Sequence, residues 1–339
     1  MSEYDLNAVA NSFGKHMVLV NGWNFAPADY TSAWNQGRLL TAQIELSNVC
    51  DLFCEYCFRA ELATVSKKRL PGEITIEKTL EVIDAVTALG ARAINIIGAG
   101  EPTLDPALPD VMRYIARKNA IPIVSTNGAR LSEKLVQEMH ASNASVIIKA
   151  NSFNPAIQDA LVNRNGYTRQ RDKGLALLIE AGFTDPTAQY QTRLGINSVV
   201  CQENKNEIPL LHAYCREHNI MPLMATFIPA GRTKNKTASE VPMQEFIALA
   251  KHIRDIDQNH YGIVYRQLMP YLGGVPCTQC SKASMYITIT GDLYECPGQE
   301  QHIGNITNIS VAAAFEKIKT IIGNEQWSCP PRVHYTAKR

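Results

Sequence analysis

Residues 42–57 read AQIELSNVCDLFCEYC. The first five read as a short buried strand, and Cys50, Cys54 and Cys57 follow within a span of eight residues. The C-x3-C-x2-C segment is therefore a loop at the C-terminal end of a strand, the end that carries ligands in βα architectures. Three thiolates on so short a loop can hold three irons of a [4Fe–4S] cube and leave the fourth iron open for a small molecule. An ordinary electron-transfer cluster would want a fourth cysteine nearby. Zinc is the competing metal, but a structural zinc site needs four ligands, and no further His or Cys follows closely enough to complete one.

Working outward, five more apolar runs lie at 93–98, 122–126, 145–151, 193–200 and 223–228. Patterns of helical period separate most of them, at about 76–89, 107–117, 132–141, 170–181 and 206–218. Strand and helix in alternation mean βα units on a parallel sheet, and six of them make a partial (β/α)6 TIM-like barrel in the α/β class. The texture changes after Ile228. A long helix at 243–258 leads to a cysteine-rich segment, a β-hairpin at 285–290 and 293–296 turning at Gly291-Asp292, and a helix at 311–322. The expected divisions are an N-terminal arm at 1–40, a barrel at 41–235, a linker helix at 236–270 and a small C-terminal domain at 271–339. Residues 1–40 show no clear period.

Composition narrows the function. The chain has 339 residues, 45% hydrophobic and 19% charged, with 33 Lys+Arg against 32 Asp+Glu. A net charge of +1 argues against bulk nucleic-acid binding, which would show a basic excess. No stretch approaches the ~20 apolar residues of a membrane span, and no signal peptide is present, so the expected location is the cytoplasm. In that compartment nine cysteines point to metal or redox chemistry rather than disulfides.

The cysteine loop, with Tyr56 at the aromatic position, resembles that of the radical S-adenosylmethionine (radical SAM) superfamily. Gly98-Ala99-Gly100-Glu101-Pro102, after the second strand, is similar to the family's Gly-Gly-Glu motif, with alanine as a departure at the second position. The resemblance implies that Gly98, Gly100 and Glu101 receive the methionine amino group of S-adenosylmethionine, through backbone and carboxylate. It further implies ribose contacts from Ser125 and Asn127 at the end of strand three. Lys149, Asn151 and Ser152, where an apolar run turns polar at strand four, are expected to meet the cofactor or substrate. Asn197 on strand five resembles the segment that lies along the adenine.

Cys277, Cys280, Cys296 and Cys329 supply four more thiols, enough for a second, auxiliary [4Fe–4S] cluster. The arrangement, with Ile303-Gly304-Asn305-Ile306 before a short helix, resembles the shortened SPASM extension called twitch. Zinc on the same four cysteines is the alternative. Of the remaining two thiols, Cys215 reads as core packing, whereas Cys201 lies just past strand five and could donate a hydrogen atom to a substrate radical. Arg232, Lys234 and Lys236 after strand six could meet a phosphate or carboxylate at that rim, but such a run more often reads as a solvated loop.

The resemblance implies an oxidoreductase that reductively cleaves S-adenosylmethionine to a 5′-deoxyadenosyl radical, which takes hydrogen from a substrate. An auxiliary cluster suits an oxidative outcome, because it can accept a second electron. The first expectation is dehydrogenation of a small molecule, since the 49 residues before Cys50 are few for a leader-peptide-binding module. Peptide cross-linking or epimerisation is the alternative, and a zinc- or cluster-bearing binding or electron-transfer protein is the non-enzymatic one. An external one-electron reductant such as flavodoxin or ferredoxin is expected as a partner.

Overall fold

A computed structural model describes residues 18–59, 68–226, 228, 231–233, 239–265, 271–274, 283–298 and 301–323. Six parallel strands pair in chain order: β1 (Thr41–Glu45), β2 (Ala93–Ile97), β3 (Ile121–Thr126), β4 (Ser145–Lys149), β5 (Leu194–Val200) and β6 (Met221–Thr226). The helices are α1 (Pro27–Asn35), α2 (Ile76–Ala88), α3 (Leu108–Arg117), α4 (Glu133–Ala141), α5 (Pro155–Val162), α6 (Tyr167–Glu180), α7 (Ile208–Glu217) and α8 (Met243–His260). Each of the six expected strands and the helices between them is present, with ends moved by a few residues. Side-chain caps set several starts: Thr75 accepts from the Lys78 N–H and Ser132 from the Leu135 N–H.

Two helices lie where none was expected. The first, α1, lies in the arm. The second, α5, fills eight residues between strand four and the helix expected at 170, and Asn154-Pro155 supplies its cap and first position. The following helix starts at Tyr167, three residues early. Its apolar stripe is interrupted by Arg171, which is fully buried and donates to the Ser152 carbonyl at 3.0 Å.

Alternation along each strand sorts side chains into compartments. Ala42, Ile44, Ile94, Ile96, Val146, Ile148 and Ile196 face the helices and form the main core. The opposite parity divides by height. At the strand starts Ala93, Ile123, Ile147, Met221 and Leu223 pack on Val20, Trp23, Phe25 and Tyr30 of the arm, giving an apolar floor. One step nearer the C-terminal ends the same face turns polar: Gln43, Asn95, Ser125, Lys149 and Asn197.

The C-terminal hairpin does not stand apart from this sheet. Its first strand, β7 (Ser284–Ile287), pairs in parallel with β1, and β8 (Asp292–Tyr294) and β9 (Gly304–Asn305) follow antiparallel. The helix α9 (Val311–Gly323) closes the described chain, with Ala314, Phe315 and Ile318 buried in the main core. Among the described residues, no helix is long and apolar enough to cross a membrane.

Candidate active site

The loop after β1 carries the first three cysteines, all partly exposed. It leans on α5: the Phe53 N–H donates to the Val162 carbonyl at 3.2 Å and the Glu55 N–H to Leu161 at 2.9 Å. Leu52, Val162 and Tyr167 form a small apolar cluster beneath Cys50, Cys54 and Tyr56. Burial pushes the Cys50 and Cys54 thiols up to about 12, and neighbouring thiols add to the rise. Free of a ligand, these sulfurs are protonated at neutral pH, so loading a metal would release protons.

The turn after β2 is fastened directly to that loop. The Gly100 N–H donates to the Ser47 carbonyl at 3.0 Å and the Glu101 N–H to Val49 at 2.7 Å. Neither glycine of the turn could carry a side chain: a Cβ on Gly98 would fall 1.7 Å from the Gly100 carbonyl oxygen, and one on Gly100 would fall 2.1 Å from that of Val49. Close approach of two backbones explains both glycines without invoking a ligand.

Glu101 has a different immediate task from the one expected of its carboxylate. It is 3% exposed, and its two oxygens accept from the Thr103 N–H (3.1 Å) and hydroxyl (2.7 Å), the Thr126 hydroxyl (2.5 Å) and the Asn127 N–H (2.6 Å). Burial lifts its carboxyl above the ordinary range, while these four donors pull it back. The carboxylate thus ties the end of β2 to the end of β3. Asn127 carries the tie onward, donating from Nδ2 to Asp51 at 3.3 Å, one residue past Cys50. Burial opposes the Asp51 charge, yet hydrogen bonds from Arg130 (2.9 Å) and Arg164 (2.8 Å) hold its carboxyl below the usual range.

Lys149 is the cation of the barrel interior. Its ammonium donates to Asn197 Oδ1 at 2.7 Å and lies 4.9 Å from the centre of the Tyr56 ring. Burial lowers it to about 8, against the pull of Cys54, Cys201 and Cys57. Ser125 donates to Asn95 at 3.0 Å on the same face. Asn151 and Ser152, by contrast, are fully buried and knit the end of β4 to its surroundings. Both N–H groups donate to Gln158, the Ser152 hydroxyl donates to Glu207 at 3.0 Å, and Asn151 Oδ1 accepts from Val199. The strand ends at Lys149, and a polar switch past it marks a buried turn rather than a set of side chains lining the mouth. Asn151 Nδ2 has no hydrogen-bond partner. Cys201 is 1% exposed, and burial pushes its thiol to about 12.

Two charged residues enter the site otherwise than the sequence suggested. Glu45, at the end of β1, has a fully buried side chain that receives both Arg59 nitrogens at 2.6 and 3.0 Å, the Tyr286 hydroxyl and the Ile289 N–H at 3.0 Å. It joins the exit of the cysteine loop to β7. A glutamate between Ile44 and Leu46 in a buried strand was the only available signal. Arg232 is not part of a solvated loop: its side chain donates to the Cys54 carbonyl and its backbone to Cys57. Lys234 and Lys236 lie outside the described residues.

The first loop fits an iron–sulfur group by the chemistry of its donors. Three thiols lie on one short loop, two cations, Lys149 and Arg232, favour charge on Cys54, and Ser47 Oγ and Asn48 Nδ2 are buried beside the loop without hydrogen-bond partners. Among the described residues, no three His, Cys, Asp or Glu side chains converge as a finished metal site. Of the second set, Cys296 is buried just past β8, while Cys277, Cys280 and Cys329 lie outside the described residues.

The cysteine loop and the glycine turn are thus fused at the strand ends of a partial (β/α)6 barrel. Residues 44–207 match the family model of the Radical SAM superfamily. Over this segment the chain is a radical SAM enzyme. It is 25% identical to mycofactocin maturase MftC of Mycobacterium ulcerans over 266 residues, 75% of this chain and 67% of that protein. It is 23% identical to a probable GTP 3′,8-cyclase of Methanococcus maripaludis over 282 residues, 80% of this chain and 89% of that protein. Among solved structures, Streptococcus suis SuiB bound to its precursor peptide SuiA shares the fold at a TM-score of 0.63, with 15% identity over 85% of this chain and 68% of that one. The family implies a cluster that binds S-adenosylmethionine and radical chemistry started by cleaving it.

Proposed function

We propose that this enzyme modifies a peptide, oxidising or cross-linking one of its residues, rather than dehydrogenating a free small molecule. One observation carries the reading. The fold is shared over 85% of this chain with SuiB bound to a precursor peptide.

In this proposal Cys50, Cys54 and Cys57 hold the [4Fe–4S] cluster, and Gly98 and Gly100 offer backbone to the methionine end of S-adenosylmethionine. When bound, cluster and cofactor supply a one-electron cleavage that yields a hydrogen-abstracting radical. Glu101 works through Gly100, fixing the turn by its four hydrogen bonds. Lys149 offers the one ammonium inside the mouth among the residues assigned here, positioned by Asn197, to a carboxylate of cofactor or substrate. Ser125 and Asn127 serve the ribose side, and Asn151 and Ser152 hold the wall behind it, with Asn151 Nδ2 left to donate. Tyr56 packs against the cofactor side of the loop. Cys277, Cys280, Cys296 and Cys329 hold the auxiliary cluster, which takes the second electron of an oxidation. Cys201, kept as a neutral thiol by burial, is the hydrogen donor if the outcome is epimerisation. A flavodoxin or ferredoxin supplies the first electron.

Small-molecule oxidation is the second reading, favoured by similarity to the probable GTP cyclase over 282 residues. Anaerobic reconstitution separates the two. We expect about eight irons and eight sulfides per chain, as two cubane clusters require. Deuterium should pass into 5′-deoxyadenosine from peptides deuterated at α and β carbons. Transfer from a ribose-deuterated nucleoside triphosphate, and none from peptide, would favour the second reading.

A further inference from the structure

Just past β6, a short helical turn at Gly231–Thr233 touches the cysteine loop. Gly231 and Arg232 make the contact. The Arg232 N–H donates to the Cys57 carbonyl at 3.0 Å, Nη1 donates to the Cys54 carbonyl at 3.0 Å, and the guanidinium lies 3.4 Å from the centre of the Phe53 ring. Gly231 is what lets the backbone come so near. Its φ of +61° is in the left-handed region, and a Cβ there would fall 2.4 Å from the Phe58 carbonyl oxygen and 2.6 Å from that of Cys57. The strap thus grips Phe53, Cys54 and Cys57 from the far edge of the parallel run.

We infer that Arg232 is a positioning residue that sets the reduction potential of the cluster held by Cys50, Cys54 and Cys57. The inference rests on the ligand assignment proposed above. Reduction adds one negative charge to a cluster already surrounded by thiolates, and a permanent cation beside it favours the reduced form. A guanidinium is always charged, and planar hydrogen bonding with stacking on Phe53 fixes where that charge sits. Electron entry is the first step of cofactor cleavage, so a potential held up by Arg232 widens the range of donors able to deliver it.

The test is an EPR-monitored redox titration of the reconstituted full chain, with iron and sulfide counted for each variant. R232M should lower the midpoint potential of the first cluster at full iron content, and R232K should restore part of the shift because the charge returns without the planar fork. G231A keeps the guanidinium but removes its seat, and should shift the potential the same way as R232M. A midpoint in R232M equal to or above that of the parent, with iron intact, overturns the inference. Loss of iron from both R232M and R232K, with unchanged far-ultraviolet circular dichroism, also overturns it, making the strap a scaffold instead. A parent chain that binds no iron defeats the cluster assignment itself, which distinguishes that failure from this one.

Discussion

The two ends of the barrel are held by different forces. At the floor, Trp23, Phe25 and Tyr30 of the arm meet Ala93, Ile123, Ile147 and Leu223 through apolar contact, which has no required direction. At the rim, Glu101, Glu45 and Asp51 each gather several donors from separate segments of the chain, and every bond has a set direction. A surface held by area tolerates a change of shape that keeps area. A network of buried carboxylates does not tolerate even an isosteric change, because each donor left behind is unsatisfied.

The largest effect expected from this contrast is at Glu101. In E101Q the amide replaces one acceptor with a donor, so at least one of Thr126, Thr103 and the Asn127 N–H loses its bond in a dry site. Stability should fall by about 1–3 kcal/mol. S-Adenosylmethionine cleavage should fall by roughly a hundredfold or more, because displacement of the Gly100 backbone by a fraction of an ångström spoils placement. Chemical denaturation and 5′-deoxyadenosine formation check the two halves separately. Full cleavage in E101Q would mean that the carboxylate is mere packing and that rim and floor do not differ.

The floor gives the next effect. W23A removes a buried indole and should lower stability by roughly 3–5 kcal/mol. W23F keeps most of the area, and the indole N–H it discards has no hydrogen-bond partner, so it should lose less than about 1.5 kcal/mol. Cleavage per iron-loaded chain should be unchanged in both. An activity loss in W23F beyond its stability loss would show that floor and rim are coupled.

The contrast also explains what could be read in advance. The core-facing strand positions and the apolar stripes of the helices are local patterns, so β1 to β6 and α2, α3, α4, α7 and α8 were legible from periodicity. The arm was not. Its apolar residues, Val20, Trp23, Phe25 and Tyr30, answer to strand starts scattered from 93 to 223 and follow no single period. The pairing of β7 with β1 joins residues more than 240 positions apart, beyond any local signal. In the site, the cysteine spacing and the Gly98–Glu101 turn were legible because glycine and cysteine carry few other meanings there. The partners of Glu101 were not, since four donors around one carboxylate are visible only once strand ends are adjacent. Glu45 and Asp51 were passed over for the same reason, and Arg232 was read as solvated because its contacts with the cysteine loop are visible only in the fold.

A third region asks whether directional burial behaves alike away from the site. Between α7 and α8, Asp257 accepts from His212 Nε2 at 2.8 Å and from Arg216 at 2.8 and 2.9 Å, with Arg216 reaching on to the Gly273 carbonyl at 3.3 Å. Burial holds the His212 imidazole below its ordinary pKa, and the His212 and Arg216 hydrogen bonds overcome burial to bring Asp257 down to about 2. Both folded-state values lie below their unfolded ones, so in acid the unfolded chain binds protons that the folded chain refuses. Stability should therefore be lost first as pH falls below about 6.5, where unfolded His212 protonates, and again from about 3.8 towards 2 as Asp257 follows. H212Q should flatten the first decline and leave the second, as measured by urea denaturation of the apoprotein from pH 7 to pH 3. If H212Q keeps the full slope near pH 6, other histidines carry it, and the buried triad answers to acid no differently from the floor.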